Sequence, residues 1–225
     1  MWCIQKIDVI FRACMYDVLD LYEEPYNPKK PLVCFDEKPK QLLGDERMPI
    51  PMKPGSSEKY DYEYVRNGTA NIFMAVEFKA GKRMTQVTRR RTKQDFARFM
   101  KMVVDEMYKN KNVEKIRVVV DNLNTHCRSA FYETFSRSEA ERLLSKLEFH
   151  YTPKHASWLN AAEIEINVMD IECTDRRISD MGTLIHEVAA WTKRRNDHEK
   201  KINWRFTKEK ADEKLSKYYV QELNS

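Results

Sequence analysis

IRVVVDNLNTH, residues 116–126, reads as a buried strand that stops on an acid. Ile116, Val118, Val119 and Val120 are β-branched, the side chains that pack best on a covered, pleated surface, and Asp121 closes the run. A second apolar run, Leu32–Phe35, ends the same way on Asp36. Between the two lies a helical pattern: Thr92 as cap, then Phe96, Phe99, Met100, Val103, Val104 and Met107 on one face. Strands on either side of a crossover helix become parallel neighbours with their carboxyl ends on one edge. Asp36 and Asp121 are therefore expected side by side, on the edge where open sheets usually place their sites.

Working outward, Tyr60–Val65 and Thr69–Phe78 read as two strands of a hairpin turning at Arg66-Asn67-Gly68, since Asn-Gly is a strong hairpin signal. Met84–Thr88 reads as a third strand, and residues 38–58 as a polar, proline-rich excursion. Upstream, apolar residues at helical spacing predict a helix over 7–22, which PYNPKKP (25–31) ends because proline forbids its continuation. Downstream, helices are expected over 127–135 and 138–146, a strand over 147–151, and a Pro/His loop (152–157) before a helix from Trp158 to about Cys173. Two more helices are expected at about 181–195 and 207–221. This order is an α/β arrangement, a mixed sheet flanked by helices with an N-terminal helical arm. The expected division is arm and linker over 1–30 and one domain over 31–225.

Two carboxylates at one edge repel and resist joint ionisation, so the arrangement calls for a cation. Oxygen ligands without a thiolate or imidazole cluster favour Mg²⁺ or Mn²⁺. Glu163, in the helix after the Pro/His loop, can reach the same edge and complete a two-metal site. Taken singly, a strand-terminal Asp is usually a turn residue and a helical Glu usually solvated. The residues alone leave this site suggestive and no more.

The chain carries 40 Lys+Arg against 35 Asp+Glu, a net charge of +5, too small an excess to establish a polyanionic partner. The apolar opening is interrupted by Lys6, Asp8, Arg12, Asp17 and Asp20, which argues against a signal peptide or membrane span. Five cysteines without CxxC spacing argue against zinc sites and a disulfide framework, and fit buried thiols in a reducing cytosol. Arg89, Arg90 and Arg91, with Lys82, Arg83 and Lys93 nearby, form a candidate phosphate track. A second basic cluster between Arg176 and Lys210 has ten Lys/Arg against five Asp/Glu, and a solvated helix face explains it equally well. Trp158 and Trp204 read as core rather than stacking platforms.

VVVDNLNTH (118–126) and HYTPKHASWLNAAEIE (150–165) resemble the insertion-sequence branch of the mariner-type transposase superfamily. FDEKPKQLLG (35–44) is similar to that family's segment around the first aspartate, and NGTANIFMAVE (67–77) to the hairpin after it. The resemblance runs from about Trp2 to Tyr218. It implies a ribonuclease-H-like fold whose Asp-Asp-Glu triad, here Asp36, Asp121 and Glu163, holds two divalent ions, Mg²⁺ or Mn²⁺. It implies cleavage of DNA at transposon ends and strand transfer into a target duplex, by a prokaryotic, nucleoid-associated cytoplasmic protein that is a homodimer at full length. Glu163 is preferred over Glu165 because it occupies the Leu-Asn-x-x-Glu position. Asn122, His126, His155, Ser157 and Asn160 fall inside the motifs and are expected to support the site or touch the DNA backbone.

The chain departs from the pattern in lacking the family's N-terminal helix-turn-helix part and in carrying Ala156 where glycine is expected, which predicts strain if that position needs positive φ. The helix after Glu163 (NVMDIECTDRRIS) also differs. An inactive fragment that only binds DNA or protein is the alternative reading. A ribonuclease-H-like enzyme acting on RNA fits the triad but not the Pro-x-His-x-Ser-Trp-Leu-Asn block.

Overall fold

The computed structural model describes residues 7–109 and 112–220. Cys3, and the end of the helix expected to reach residue 221, lie outside them. Five strands form one mixed sheet: β1 (Leu32–Asp45), β2 (Tyr64–Glu77), β3 (Lys82–Thr88), β4 (Ile116–Val120) and β5 (Leu147–Tyr151). Their order is β3-β2-β1-β4-β5. β1 runs antiparallel to β2 and parallel to β4, and β4 runs parallel to β5, so the two acid-bearing strands are the expected parallel neighbours.

Helices cover both faces. On one, Val33, Phe35, Phe73 and Val118 pack against Phe96, Phe99 and Met100 of α2 (Lys93–Met102), with α3 (Ser129–Thr134) and α4 (Arg137–Lys146) completing the layer. On the other, Cys34, Val76 and Val119 meet Val18 and Tyr22 of α1 (Val9–Glu23) and Ala161 and Ala162 of α5 (Ala161–Met169). Farther along that face, Ile72 and Met74 meet Ile166, Met169 and the α6 (Met181–Asp197) residues Leu184, Val188 and Trp191. Strand side chains alternate between faces, so Asp36 belongs to the α5 face with Cys34, whereas Glu37 belongs to the α2 face with Phe35. α7 (Lys208–Leu215) packs on α1 through Ala211 and Leu215.

Several expectations need correction. Asn67-Gly68 is not a hairpin turn. β2 runs through it unbroken, and the pairing jumps from Leu42–Gly68 to Leu43–Arg66, leaving Asn67 as the extra residue of a bulge. The same tolerance of positive φ (+110° at Gly68) that suits Asn-Gly to a hairpin suits it to a bulge. The Asn67 amide then donates to the Ser179 carbonyl at 2.9 Å, a partner far away in sequence. Accordingly β1 does not end at Asp36 but continues to Asp45, and the chain reverses over residues 46–63. Pro39 is tolerated within β1 because β4 pairs only with Leu32–Cys34, leaving that side of β1 without a strand neighbour beyond. The helix expected from Trp158 is shorter: a 3₁₀ turn covers Ser157–Leu159, α5 starts at Ala161, and a π-helical turn over Asp170–Thr174 ends it.

α6 is tied to edge strand β3 by a buried ion cluster. Glu165, fully buried, receives a two-pronged hydrogen bond from Arg195 at 2.9 and 3.0 Å and an ion pair from Arg83 Nε at 2.9 Å. The Asn196 side chain pairs with the Arg83 backbone, accepting its N–H and donating to its carbonyl, both at 2.8 Å. At the turn before β3, Gly81 (φ +71°) lies so close to Glu199 that a Cβ would meet its carbonyl oxygen at 2.3 Å. Removing one member of a buried pair leaves a desolvated charge uncompensated. Glu165→Ala is therefore expected to lower unfolding free energy by roughly 3–5 kcal/mol, read by urea denaturation, whereas truncating the exposed Lys193 should cost under about 0.5 kcal/mol.

Candidate active site

Each acid is delivered by a different device. Asp36 lies in β1 just past the last residue paired with β4, and Asp121 is the first residue after β4. Glu163 stands in the first turn of α5, where a carboxylate complements the helix dipole. Asn160 joins these parts. It caps α5 by accepting the Ala162 N–H at 3.1 Å, and its amide nitrogen donates to the Phe35 carbonyl at 2.7 Å and to Asp36 Oδ2 at 3.3 Å. Fully buried, it couples the start of α5 to the strand position that carries Asp36.

Asp36 is 8 % exposed. Burial pushes its carboxyl up to about 8, and the nearby negative charges of Glu163, Asp121 and Glu37 add to the rise, against a hydrogen bond from the Glu37 N–H that lowers it. The structure thus brings Asp121 and Glu163 within electrostatic reach of Asp36. It does not close them into a ligand shell: among the described residues no three Asp, Glu, His or Cys side chains stand at metal-holding spacing.

Asp121 is engaged by His126. That ring is buried, edge-on to Phe35, with Nδ1 on Asp121 Oδ1 and Nε2 3.0 Å from Glu37 Oε2. Burial works against a charged imidazole, but the hydrogen bonds to Asp121 and Glu37 outweigh it and push His126 up to about 9. The ring is a cation at neutral pH, bridging two carboxylates. Glu37 thus faces His126, with Arg91 4.0 Å from its other oxygen, while Asp36 faces α5.

The remaining motif residues are scattered. Asn122, His155 and Ser157 are exposed, and no hydrogen bond links them to the three acids among the described residues. Positive φ falls on His155 (+62°), not on Ala156, which adopts φ −124° and is buried beside Leu159. The expected strain at Ala156 does not arise. Arg89, Arg90 and Arg91 are exposed between β3 and α2. The second basic cluster is largely spent on ion pairs: Arg176 with Glu187, Arg177 with Asp45, Arg194 with Glu172, Arg195 with Glu165 and Lys208 with Asp20. Trp158 and Trp204 are both partly buried, packed against Phe206 and Tyr22 respectively. Cys14, Cys34, Cys127 and Cys173 are free thiols. No described helix is long and apolar enough to cross a membrane.

Sequence reasoning did not single out Tyr22. Buried on the inner face of α1, its hydroxyl donates to the Leu159 carbonyl at 2.9 Å and accepts the Ala161 N–H at 3.1 Å. The only local signal is an aromatic on the apolar stripe of α1, which does not distinguish this role from packing.

Comparison with known proteins points one way. The family model described as DDE superfamily endonuclease matches residues 31–185. No curated protein sequence matches the chain. Among solved structures, the Mos1 transposase paired-end complex with left transposon end is similar at a TM-score of 0.58 and 10 % identity, over 86 % of this chain and 57 % of that one. The mariner Mos1 paired-end complex with Mg aligns at 0.58 and 11 % identity, over 98 % and 66 %. The complex with Mn aligns at 0.57 and 10 %, over 89 % and 60 %. The chain spans about two thirds or less of those relatives and has the ribonuclease-H-like fold of their catalytic part.

A pH prediction follows from Asp36. Its folded-state value of about 8 lies above the unfolded value of about 3.9. The folded chain therefore holds a proton that the unfolded chain releases, and stability falls as pH rises through that window. Asp36→Asn removes this titration, so its melting temperature relative to wild type should climb between pH 4.5 and pH 8. His126 moves stability in the same direction, but in both proteins, so the comparison isolates Asp36. A constant difference across the range would contradict the assignment.

Proposed function

The chain belongs to the DDE superfamily of endonucleases, and on that premise we propose that Asp36, Asp121 and Glu163 are the metal-holding triad of a transposase catalytic domain. The observation that supports this most is the setting of Asp36: a nearly buried carboxylate with Glu163, Asp121 and Glu37 close by, its oxygens met only by the Glu37 N–H and the Asn160 amide among the described residues. The donors are hard oxygens, which suit Mg²⁺ or Mn²⁺. Two such ions, when bound, would activate a water or 3′-hydroxyl and stabilise the leaving oxygen of a phosphodiester. Asp36 and Asp121 would hold the ions from the sheet edge, and Glu163 from α5.

The chain's own groups prepare the geometry. Asn160 sets the first turn of α5 against Asp36, and the His126 cation orients Asp121 while neutralising Glu37. The substrate is duplex DNA, cut at transposon ends and joined through the freed 3′-hydroxyl to a target. Arg89, Arg90 and Arg91 supply phosphate contacts, which add affinity without reading sequence. Asn122, exposed beside Asp121, and His155 and Ser157, exposed in the segment leading into α5, touch the DNA backbone. We assign the chain to the insertion-sequence branch, with residues 1–30 as arm and linker and 31–225 as catalytic domain. The full-length protein is a homodimer, nucleoid-associated in a prokaryotic cytoplasm.

Asp36→Asn, Asp121→Asn and Glu163→Gln are each expected to fold yet lose Mg²⁺-dependent nicking of supercoiled plasmid by at least about a hundredfold, while the exposed Glu141→Gln retains it. Wild-type protein with no metal-dependent nicking would favour the binding-remnant alternative. Millimolar Mg²⁺ should also raise the wild-type melting temperature more than that of Asp121→Asn. For DNA binding, replacing Arg89, Arg90 and Arg91 by alanine should flatten the slope of log K against log salt by roughly two to three. An unchanged slope would remove these arginines from the interface.

A further inference from the structure

We propose that the Tyr22 hydroxyl is a positioning group for Glu163, through which helix α1 sets the third acid of the site against the first. This rests on the reading of Asp36, Asp121 and Glu163 as the metal-holding triad.

Glu163 can meet Asp36 only if the start of α5 is held at the right height above β1. Two buried polar nodes hold it. One is Asn160, anchored on β1. The other is Tyr22, which reaches across from α1 and spans the joint between the 3₁₀ turn and α5, accepting from Ala161 N–H at 3.1 Å and donating to the Leu159 carbonyl at 2.9 Å. The first amides and last carbonyls of helical turns have no partner within their own turn, and here water cannot serve them because Leu159 and Ala161 are fully buried. A single hydroxyl satisfies one of each.

The hydroxyl is itself held in place. Its Cys34 neighbour, with Sγ at 3.2 Å, sits on β1 two residues before Asp36, on the same face of the sheet. The Tyr22 ring is clamped edge-to-face between Phe78 at 5.2 Å and Trp204 at 4.7 Å. Tyr22 thus touches the strand that carries the first acid and the helix that carries the third. Ala161 and Ala162, being small, let α5 approach closely enough for a tyrosine on α1 to reach its backbone.

The test is Tyr22→Phe, which retains the ring and its contacts and deletes only the hydroxyl. Mn²⁺ binding, followed by the loss of free-ion electron paramagnetic resonance signal, should weaken about tenfold, as for other changes just outside a ligand shell. In nicking assays kcat should fall with KM for DNA unchanged. Val18→Ala is the control: it removes packing from the same buried cluster without touching the hydroxyl, and should lower the melting temperature while leaving Mn²⁺ affinity unchanged. Equal losses of affinity in the two variants at equal loss of stability would overturn the proposal, as would wild-type affinity in Tyr22→Phe. A further measurement needs no variant: coupling is reciprocal, so Mg²⁺ should slow hydrogen exchange of the Ala161 amide in wild type, and an unchanged rate would also overturn it. If Asp36→Asn binds Mn²⁺ as tightly as wild type, the triad reading itself fails and this inference with it. If Asp36→Asn loses binding while Tyr22→Phe keeps it, this inference alone fails.

Discussion

The side-chain amide of Asn160 is the constraint on which the site depends. One buried group caps α5 and grips β1 at Phe35 and Asp36. A strand and a helix distant in sequence can slide against each other when only apolar side chains separate them, because the hydrophobic effect is non-directional. Hydrogen bonds in a dry interior are directional, and costly to leave unmade, so this contact fixes a register that packing alone would leave free.

Buried charge is compensated unevenly across the protein. Glu165 has two arginines, and Glu37 has the His126 cation with Arg91 nearby. These carboxylates are neutralised within the fold. Asp36 has three carboxylates near it and is driven toward its protonated form. A low-dielectric setting magnifies both cases. The difference separates acids paired with cations inside the fold from Asp36, whose carboxylate neighbours oppose its ionisation.

The same physics explains why neighbouring acids in the chain have divergent fates. Asp36 and Glu37 are adjacent, and the period of two in a strand sends them to opposite faces, one to α5 and the other to His126. Glu163 and Glu165 are two residues apart on a helix, about 200° around its axis. One stands in the first turn near Asp36, and the other is buried under β3 and α6. In each pair the fate follows from which face of the element is covered by what.

Much of the architecture was legible from local pattern. The β-branched run before Asp121, the apolar run before Asp36 and the helical stripe between them were enough for parallel neighbours in a covered mixed sheet, because period and propensity act over a few residues. The candidate acids were legible as residue types in recognisable motifs. What local pattern could not decide was whether Asn67-Gly68 turns the chain or bulges it, since the same left-handed tolerance serves both. The partner that selects the bulge, the Ser179 carbonyl, lies 112 residues away. Nor could it show that Tyr22 serves as more than packing, that Glu165 is spent on Arg83 and Arg195, or that most of the second basic cluster is consumed in ion pairs. Those outcomes are set by hydrogen bonds and charges between segments remote in sequence. Sequence by itself determined the acid-bearing strands, the helix between them and which acids could carry chemistry, and tertiary structure decided how far the strands run and which polar groups meet, because desolvation and directionality act only once the chain has closed around them.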